Sequence, residues 1–201
     1  MKKIISLFQR NYEGDRLVRD EIVPGAEWVI NGEGIATRKW DGTSCLIRNG
    51  KLFKRYDAKK GKQPPGNFEP AQPEPDPVSG HWPGWLPVGD GPEDKYYREA
   101  FETLLKEKGE IFFAGFEWTY ELCGPKIGNK GDGNPENLIS HILIPHGSKW
   151  LDDVPRTFEG IKEYLSNRCI EGIVWWRDVD DLNCDKVKIK ARDFGLPWPR
   201  K

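Results

Sequence analysis

The chain has 201 residues, of which 37% are hydrophobic, 31% charged and 12% aromatic, and its formal net charge is −1. This length suits one domain, and the nine tryptophans supply large side chains for a core, which excludes a chain that is disordered throughout. No apolar run approaches the roughly 20 residues of a membrane-spanning helix, so no membrane partner is expected. The first apolar stretch spans about five residues, too few for a signal peptide.

The four cysteines form no CxxC pair and show no regular spacing. This pattern argues against a zinc site and against a disulfide framework. We therefore expect reduced thiols and a cytoplasmic location.

The charge is distributed unevenly along the chain. Residues 1–62 carry 14 basic and 8 acidic side chains, a net charge of +6, whereas residues 63–122 have a net charge of −8 and residues 123–201 of +1. A local basic patch can bind a polyanion although the whole protein is nearly neutral. The alternative is an ordinary solvated charged surface.

The predicted elements are mostly short strands separated by glycines, with two helices. In chain order they are a first strand within Met1–Arg10, strands at Ala26–Ile30, Ile35–Trp40, Thr43–Arg48 and Lys51–Tyr56, a helix at Asp94–Lys108, strands at Ile111–Leu122 and His141–Ile144, a helix at Thr157–Ser166, and strands at Gly172–Trp176 and Lys186–Lys190. Asn49-Gly50 predicts a tight hairpin turn. Strands joined by hairpins predict an α+β fold built on antiparallel sheets.

Residues 63–92 differ from the rest of the chain because they contain nine prolines. Proline excludes a helix and disfavours a central strand. We expect a long loop inserted at about 63–92 into a single domain of residues 1–201. Trp82 and Trp85 within it predict that the loop packs against the fold.

Lys39-Trp40-Asp41-Gly42 is a K-x-D-G sequence in which the lysine could act as a covalent nucleophile. An unperturbed lysine has a pKa near 10.4, so burial or neighbouring cations would have to lower it by up to about 3. The lysines of the strand at Lys186–Lys190 recur at every second position and therefore share one face. They predict either a phosphate-binding row close to Lys39 or an exposed edge strand protected by lysines.

Two carboxylates lie in apolar surroundings. Glu121 is flanked by Thr119-Tyr120 and Leu122-Cys123, and Glu171 precedes Gly172-Ile173-Val174-Trp175-Trp176. An acid on a strand that enters the core tends to be paired or to bind a metal. The alternative for each is a rim residue that faces water.

The order of these motifs resembles that of the covalent nucleotidyltransferase superfamily of RNA ligases, DNA ligases and capping enzymes. The matching segments are Lys39-Trp40-Asp41-Gly42 for the nucleophile motif, Tyr120-Glu121-Leu122-Cys123-Gly124 for the acidic motif, Glu171-Gly172-Ile173-Val174 for the E-G-x-V motif, and Lys188-Ile189-Lys190 for the terminal lysine pair. Arg55 follows the first motif at the position where ligases carry a substrate-contacting arginine. The resemblance implies an adenylyltransferase domain of antiparallel sheets flanked by a few helices.

A closer resemblance is to the RNA 5′-to-3′ ligase family exemplified by vertebrate RNA ligase 1, from about Ile35 to Trp198. It rests on Gly80-His81-Trp82-Pro83-Gly84-Trp85-Leu86-Pro87-Val88, Asn134-Pro135, His141-Ile142-Leu143-Ile144-Pro145-His146-Gly147 and Gly195-Leu196-Pro197-Trp198-Pro199. Lys190 departs from this family, in which a histidine stands at that position, although the superfamily favours lysine. No base-stacking aromatic is evident, and Trp40, His141 and His146 are the candidates.

The resemblance implies a three-step reaction with ATP and Mg²⁺ (or Mn²⁺). Lys39 forms a lysyl–AMP intermediate, AMP passes to an RNA 5′-phosphate, and a 3′-hydroxyl then displaces AMP. Lys188 and Lys190 are expected to stabilise phosphate charge as catalytic residues. Arg55 is expected to contact the nucleotide, and Glu171 with Glu121 to bind the metal, although Glu121 could instead hold a ribose hydroxyl.

The chain ends eleven residues after Lys190, which leaves no room for an appended OB barrel and favours an RNA ligase over a DNA ligase or a capping enzyme. The alternatives are a DNA nick ligase and a catalytically inactive nucleotide- or RNA-binding module. A tryptophan-rich carbohydrate- or protein-binding module would explain the aromatic residues but not the ordered motifs. A monomer that binds RNA with 5′-phosphate and 3′-hydroxyl ends is expected.

Overall fold

The computed structural model describes residues 2–128 and 138–198; Asn134-Pro135 and Pro199 of the family resemblance lie outside them. The described residues form a mixed α+β fold with mainly antiparallel sheets and few helices. They divide into two compact units. The six-strand unit comprises residues 2–3, 42–128 and 138–146, and the four-strand unit comprises residues 4–41 and 147–198.

The elements of the described residues follow the predicted succession of short strands and amphipathic helices. In chain order they are β1 (Ile5–Ser6), β2 (Phe8–Arg10), β3 (Val18–Ile22), α1 (Glu27–Ile30), β4 (Ile35–Lys39), β5 (Thr43–Arg48), β6 (Lys51–Ala58), β7 (Glu69–Pro70), β8 (Trp82–Pro87), α2 (Lys95–Lys108), β9 (Glu117–Cys123), β10 (Ile142–Pro145), α3 (Phe158–Ser166), β11 (Gly172–Trp176) and β12 (Lys186–Lys190).

The main sheet of the four-strand unit has the order β1-β12-β11-β4, with β1 parallel to β12 and the other neighbours antiparallel. Ala36, Trp175 and Val187 pair in register and are buried on one face, where α3 contributes Ile161 and Leu165 to the same core. The opposite face is called the lysine face. It carries Thr37, Lys39, Gly172, Val174, Lys186, Lys188 and Lys190.

The sheet of the six-strand unit has the order β10-β9-β5-β6-β8-β7, and its described neighbours are all antiparallel. One face buries Cys45, Ile47 and Tyr120 together with Ala100 of α2. The other face carries Ser44 and Glu121, which pair in register. Ser44 and Glu121 therefore lie opposite the face that packs on α2.

The Asn49-Gly50 hairpin is confirmed between β5 and β6. Both residues have positive φ, 50° for Asn49 and 71° for Gly50. Asparagine and glycine tolerate this conformation, which matches the twist of the two strands.

The two expected helices are also confirmed. The first begins at Lys95 and ends before Gly109, and the second begins after Thr157, whose hydroxyl accepts a hydrogen bond from the Gly160 N–H at 3.3 Å. The side chains expected to face inward pack against the two cores: Tyr97, Phe101, Leu104 and Leu105 from α2, and Phe158, Ile161 and Leu165 from α3.

The strand expected at Ala26–Ile30 is wrong, because Glu27–Ile30 forms the helical turn α1. Trp28 and Val29 are both buried, which a helical turn permits and a strand with one covered face does not. The Glu27 carboxylate also accepts the Gly25 N–H at 2.8 Å and holds the start of the turn. A five-residue apolar run carries no periodicity that separates the two states.

Residues 63–92 are not a continuous loop, because Trp82–Pro87 forms β8 and pairs with β6. Val88 donates its N–H to the β6 residue Leu52, whereas the Pro83 carbonyl accepts from Ala71 on the opposite side. Backbone groups of alternate residues point to opposite sides of a strand, so Pro83 and Pro87 lack their N–H on the side away from β6. The prolines therefore leave the pairing with β6 intact.

The strand expected at Ile111–Leu122 is shorter, because Glu110–Phe113 forms a 3-10 turn and β9 begins at Glu117. Phe113 is fully buried, and Gly115 then reverses the chain with a φ of 71°. The remaining predicted strands are confirmed within two residues at each end where bounds were given.

All four cysteines lie within the described residues and are free thiols. Burial raises the pKa of Cys45 well above its ordinary value. None of the helices in residues 2–128 and 138–198 has the length and apolarity needed to cross a membrane.

Candidate functional site

Three residues from distant parts of the sequence meet at one end of the four-strand sheet. Lys39 ends β4, Lys190 ends β12, and Glu171 immediately precedes β11. The Lys39 Nζ lies 2.5 Å from Glu171 Oε2, and the Lys190 Nζ lies 3.0 Å from Glu171 Oε1. The Glu171 side chain is 6% exposed, so one buried carboxylate holds both lysines.

Gly172 allows these two lysines to approach the same carboxylate. It pairs with Lys39 on one side and with Lys190 on the other, so the three residues form one row across the lysine face. A Cβ at this position would lie 2.2 Å from the carbonyl oxygen of Ile189 and 2.9 Å from the Lys190 Cα. Only glycine fits without a shift of β12, which gives the E-G-x-V sequence a structural reason.

Replacing Gly172 by alanine is expected to lower the free energy of unfolding by about 1–3 kcal/mol, because the methyl group overlaps the backbone of β12. Urea denaturation measures this change. Gly66→Ala is the matched control, since a Cβ there meets nothing within 4 Å. Equal stability of the two variants would contradict the close approach.

Lys188 lies on the same face, and its ammonium forms neither an ion pair nor a hydrogen bond with another described residue. Burial, followed by the charges of Lys190 and Lys39, lowers the pKa of Lys188 to about 8. Burial and then Lys39 also lower the pKa of Lys190, while Glu171 opposes that shift. Three cations around one carboxylate leave an excess of positive charge, which suits an anion such as phosphate.

The pKa of Lys188 predicts how stability depends on pH. Between about pH 8 and pH 10.4 the unfolded chain keeps a proton that Lys188 has released in the folded state, so this residue makes the free energy of unfolding rise with pH. Compared with Lys188→Met, the wild type should gain about 1–3 kcal/mol from pH 7 to pH 10. Denaturation series at both pH values measure the difference, with the exposed Lys51→Met as control. A difference that stays constant would contradict the shift.

Lys186 shares the lysine face but has a structural role. Its ammonium donates to the carbonyls of Leu182 and Cys184 at 2.6 and 3.1 Å and lies 4.2 Å from the centre of the Trp176 ring. These contacts fix the loop before β12. The expected row of three lysines therefore contributes two residues, Lys188 and Lys190, to the cluster with Lys39.

Glu121 belongs to the six-strand unit, where it is buried on β9. One carboxylate oxygen accepts the Gly42 N–H at 3.0 Å, and the other lies 2.8 Å from His146 Nε2. A Cβ at Gly42 would meet the Leu122 carbonyl oxygen at 2.2 Å. Glu121 and this close approach together fix Gly42, the residue that ends the K-x-D-G sequence.

The pairing of His146 with Glu121 was missed by the sequence analysis. His146 follows β10, and Ile144 of that strand pairs with Glu121. The sequence carries no signal for this register. The His146 Nδ1 is buried without a hydrogen-bond partner among the described residues. The same is true of the hydroxyl of Ser44, the β5 residue that pairs with Glu121 of β9.

Arg55 lies on β6 in the same unit. Its Nε donates to Asp57 Oδ1 at 2.9 Å, and its guanidinium lies 5.4 Å from the centre of the Trp85 ring. The expected contact of Arg55 with a nucleotide stays a prediction, as does that of Glu121.

The three base-stacking candidates differ in the exposure of their rings. His141 is 4% exposed, stacks on Tyr96 at 4.1 Å and has its Nδ1 3.0 Å from a Glu99 oxygen, which favours a structural role. His146 is held by Glu121. Trp40 is partly exposed, with the Arg38 guanidinium 4.1 Å from the centre of its ring.

A metal cage built by the protein is not present in the described part of the chain, because no three His, Cys, Asp or Glu side chains there surround one point. Mg²⁺ commonly keeps several waters and uses one or two carboxylates together with substrate phosphates. Glu171 supplies one such carboxylate, and its two oxygens are at present held by Lys39 and Lys190.

The family models contain no match to this chain, and a search of the curated proteins finds none either.

Proposed function

We propose that this chain is an ATP-dependent RNA ligase that joins 5′-phosphate and 3′-hydroxyl ends through a lysyl–AMP intermediate. The observation that supports it most directly is the cluster of Lys39, Glu171, Lys188 and Lys190 on one sheet face. These residues come from three segments of the sequence, and each occupies a position of the motifs that suggested the nucleotidyltransferase resemblance.

In the proposed reaction the neutral Lys39 amine attacks the α-phosphorus of ATP. A P–N bond forms, the nitrogen releases one proton to solvent, the bond from the α-phosphorus to the oxygen shared with the β-phosphate breaks, and pyrophosphate leaves. An RNA 5′-phosphate oxygen then attacks the same phosphorus and breaks the P–N bond, and the nitrogen takes up a proton from solvent as the amine is restored. Finally the 3′-hydroxyl attacks the RNA 5′-phosphorus, loses its proton and releases AMP.

The surroundings of Lys39 support its role as the nucleophile. The ion pair with Glu171 positions the amine, and Lys188 and Lys190 add positive charge beside it. Lys188 and Lys190 would also stabilise the charge that develops on the α-phosphate. Mg²⁺ would neutralise phosphate charge when bound, and Glu171 is the residue of this unit that would hold it.

The alternatives make different demands on the same cluster. A DNA nick ligase would use the same lysine chemistry on a different polymer. A catalytically inactive module would bind the nucleotide without forming a covalent bond. The buried carboxylate that holds Lys39 next to two further cations favours an enzyme.

The proposed function is tested by incubating the wild-type chain with α-labelled ATP and Mg²⁺. Label is expected on the denatured protein, in the peptide that contains Lys39, and not with γ-labelled ATP. An unlabelled protein would exclude the covalent mechanism. Label from GTP instead of ATP would indicate capping chemistry.

The polymer is identified with the labelled protein. A 5′-phosphorylated RNA with a 3′-hydroxyl end should receive AMP and be joined. Preferential sealing of nicked DNA duplex would replace the RNA ligase by the DNA ligase.

A further inference from the structure

An exposed tryptophan lies beside the strand that carries Lys39. Trp150 is 56% exposed and pairs with Thr37 through an isolated antiparallel bridge on the outer side of β4. Two backbone hydrogen bonds flank the bridge, from Arg38 N–H to the Lys149 carbonyl at 2.8 Å and from Leu151 N–H to the Ala36 carbonyl at 2.9 Å. The segment around Trp150 is thereby fixed to β4.

This register places Trp150 on the lysine face. Directly paired residues of antiparallel strands project to the same side, and Thr37 is two residues before Lys39, about 7 Å along the strand. The indole therefore leaves the sheet on the side of Lys39, Lys188 and Lys190. Its own backbone neighbour Lys149 is exposed as well.

The ring is held in one orientation although it is exposed. Its Nε1–H donates to the Gly147 carbonyl at 3.1 Å, which fixes the edge of the indole. A fixed aromatic ring beside a cluster of cations is the combination that binds single-stranded nucleic acids, in which bases stack on rings and phosphates contact lysines.

We propose that Trp150 stacks on an unpaired base of the RNA strand whose phosphate contacts the lysine face. This inference rests on the proposed function and names the residue that contacts its polymer substrate. A small-molecule site usually buries 70–90% of its ligand, whereas a half-exposed ring at a sheet edge leaves a stacked base in contact with solvent. Trp150 therefore suits a strand that passes over the surface better than the adenine of ATP.

The test measures the binding of a fluorescent, 5′-phosphorylated single-stranded RNA at fixed salt by anisotropy. Trp150→Ala should raise the Kd roughly 5- to 100-fold, and Trp150→Phe should largely restore it. Tyr12→Ala is the matched control, because Tyr12 is a 67% exposed aromatic side chain of the same unit and should have no effect. An unchanged Kd for Trp150→Ala, or no RNA binding by the wild type, would overturn the proposal.

Labelling with α-labelled ATP separates this proposal from the proposed function. Trp150→Ala should be labelled like the wild type, since the ring contacts RNA and not ATP. Loss of labelling in this variant would assign the ring to the adenine and overturn the proposal. If the wild type is not labelled at all, the ligase mechanism fails, while the RNA measurement still decides the role of Trp150.

Discussion

Replacing Lys39 by alanine is expected to abolish the transfer of label from α-labelled ATP to the protein. The proposed intermediate is a phosphoramidate on the Lys39 amine, which lies at the end of β4. It cannot form once that amine is removed. The remaining lysines cannot substitute, because Lys190 holds the far oxygen of Glu171 and Lys188 is largely buried. The measurement is the amount of labelled protein after denaturation, at equal times and equal concentrations.

Lys39→Arg separates the nucleophile from its ion pair. Arginine keeps the positive charge and can still pair with Glu171, but its guanidinium remains protonated and cannot attack phosphorus. The arginine variant should therefore be folded and unlabelled. Lys51→Ala, which removes an exposed lysine from the first position of β6, should be labelled normally. Label retained by either Lys39 variant would assign the covalent bond to another residue.

The strands around the site could be predicted because they carry local signals. Asn49-Gly50 requires a tight turn, and glycines or charged residues bound the strands that end at Lys39 and Lys190. Alternation along Lys186–Lys190 also predicted one shared face correctly. What it could not predict is that Lys186 turns to the carbonyls of Leu182 and Cys184, because those contacts depend on the path of the preceding loop.

The pairing between strands needs information that the sequence does not carry. β1 joins β12 in parallel although nearly the whole chain separates them, and Ser6 thereby lies beside Lys188. The position of Trp150 depends in the same way on a single bridge to Thr37. The register between strands that are distant in sequence is set by the packing of whole sheets. Motifs therefore predict which residues take part in a site but not which residues lie next to them.

Proline-rich and short apolar segments were the least predictable. The prolines of 63–92 suggested a loop. In β8, however, Pro83 and Pro87 lack their N–H groups on the side away from β6, so the backbone groups on the other side can still pair with β6. The run at Ala26–Ile30 forms a single helical turn because Trp28 and Val29 both reach the core. In both cases the tertiary environment outweighs the local preference.

Replacing Glu171 by glutamine is expected to slow the labelling of Lys39 by roughly 100- to 1,000-fold, the range seen when one charge-stabilising group is removed from an active site. The Glu171 carboxylate holds Lys39 at 2.5 Å and Lys190 at 3.0 Å, and it is the acid of this unit that would bind Mg²⁺. Glutamine keeps the shape but removes the charge, so the lysines repel one another without a counter-charge. A rate decrease is therefore informative about positioning and metal binding.

The same substitution should also lower the free energy of unfolding, by about 1–3 kcal/mol, because a nearly buried carboxylate leaves two ammonium groups without their partner. Labelling rates are therefore compared well below the melting temperature of Glu171→Gln, across a series of Mg²⁺ concentrations. Glu163→Gln makes the same chemical change at an exposed position of α3 and should alter neither quantity. Glu171→Asp keeps the charge but withdraws it by one methylene, so an intermediate rate is expected. A wild-type rate in Glu171→Gln would contradict a role of this carboxylate in positioning Lys39 or in binding Mg²⁺.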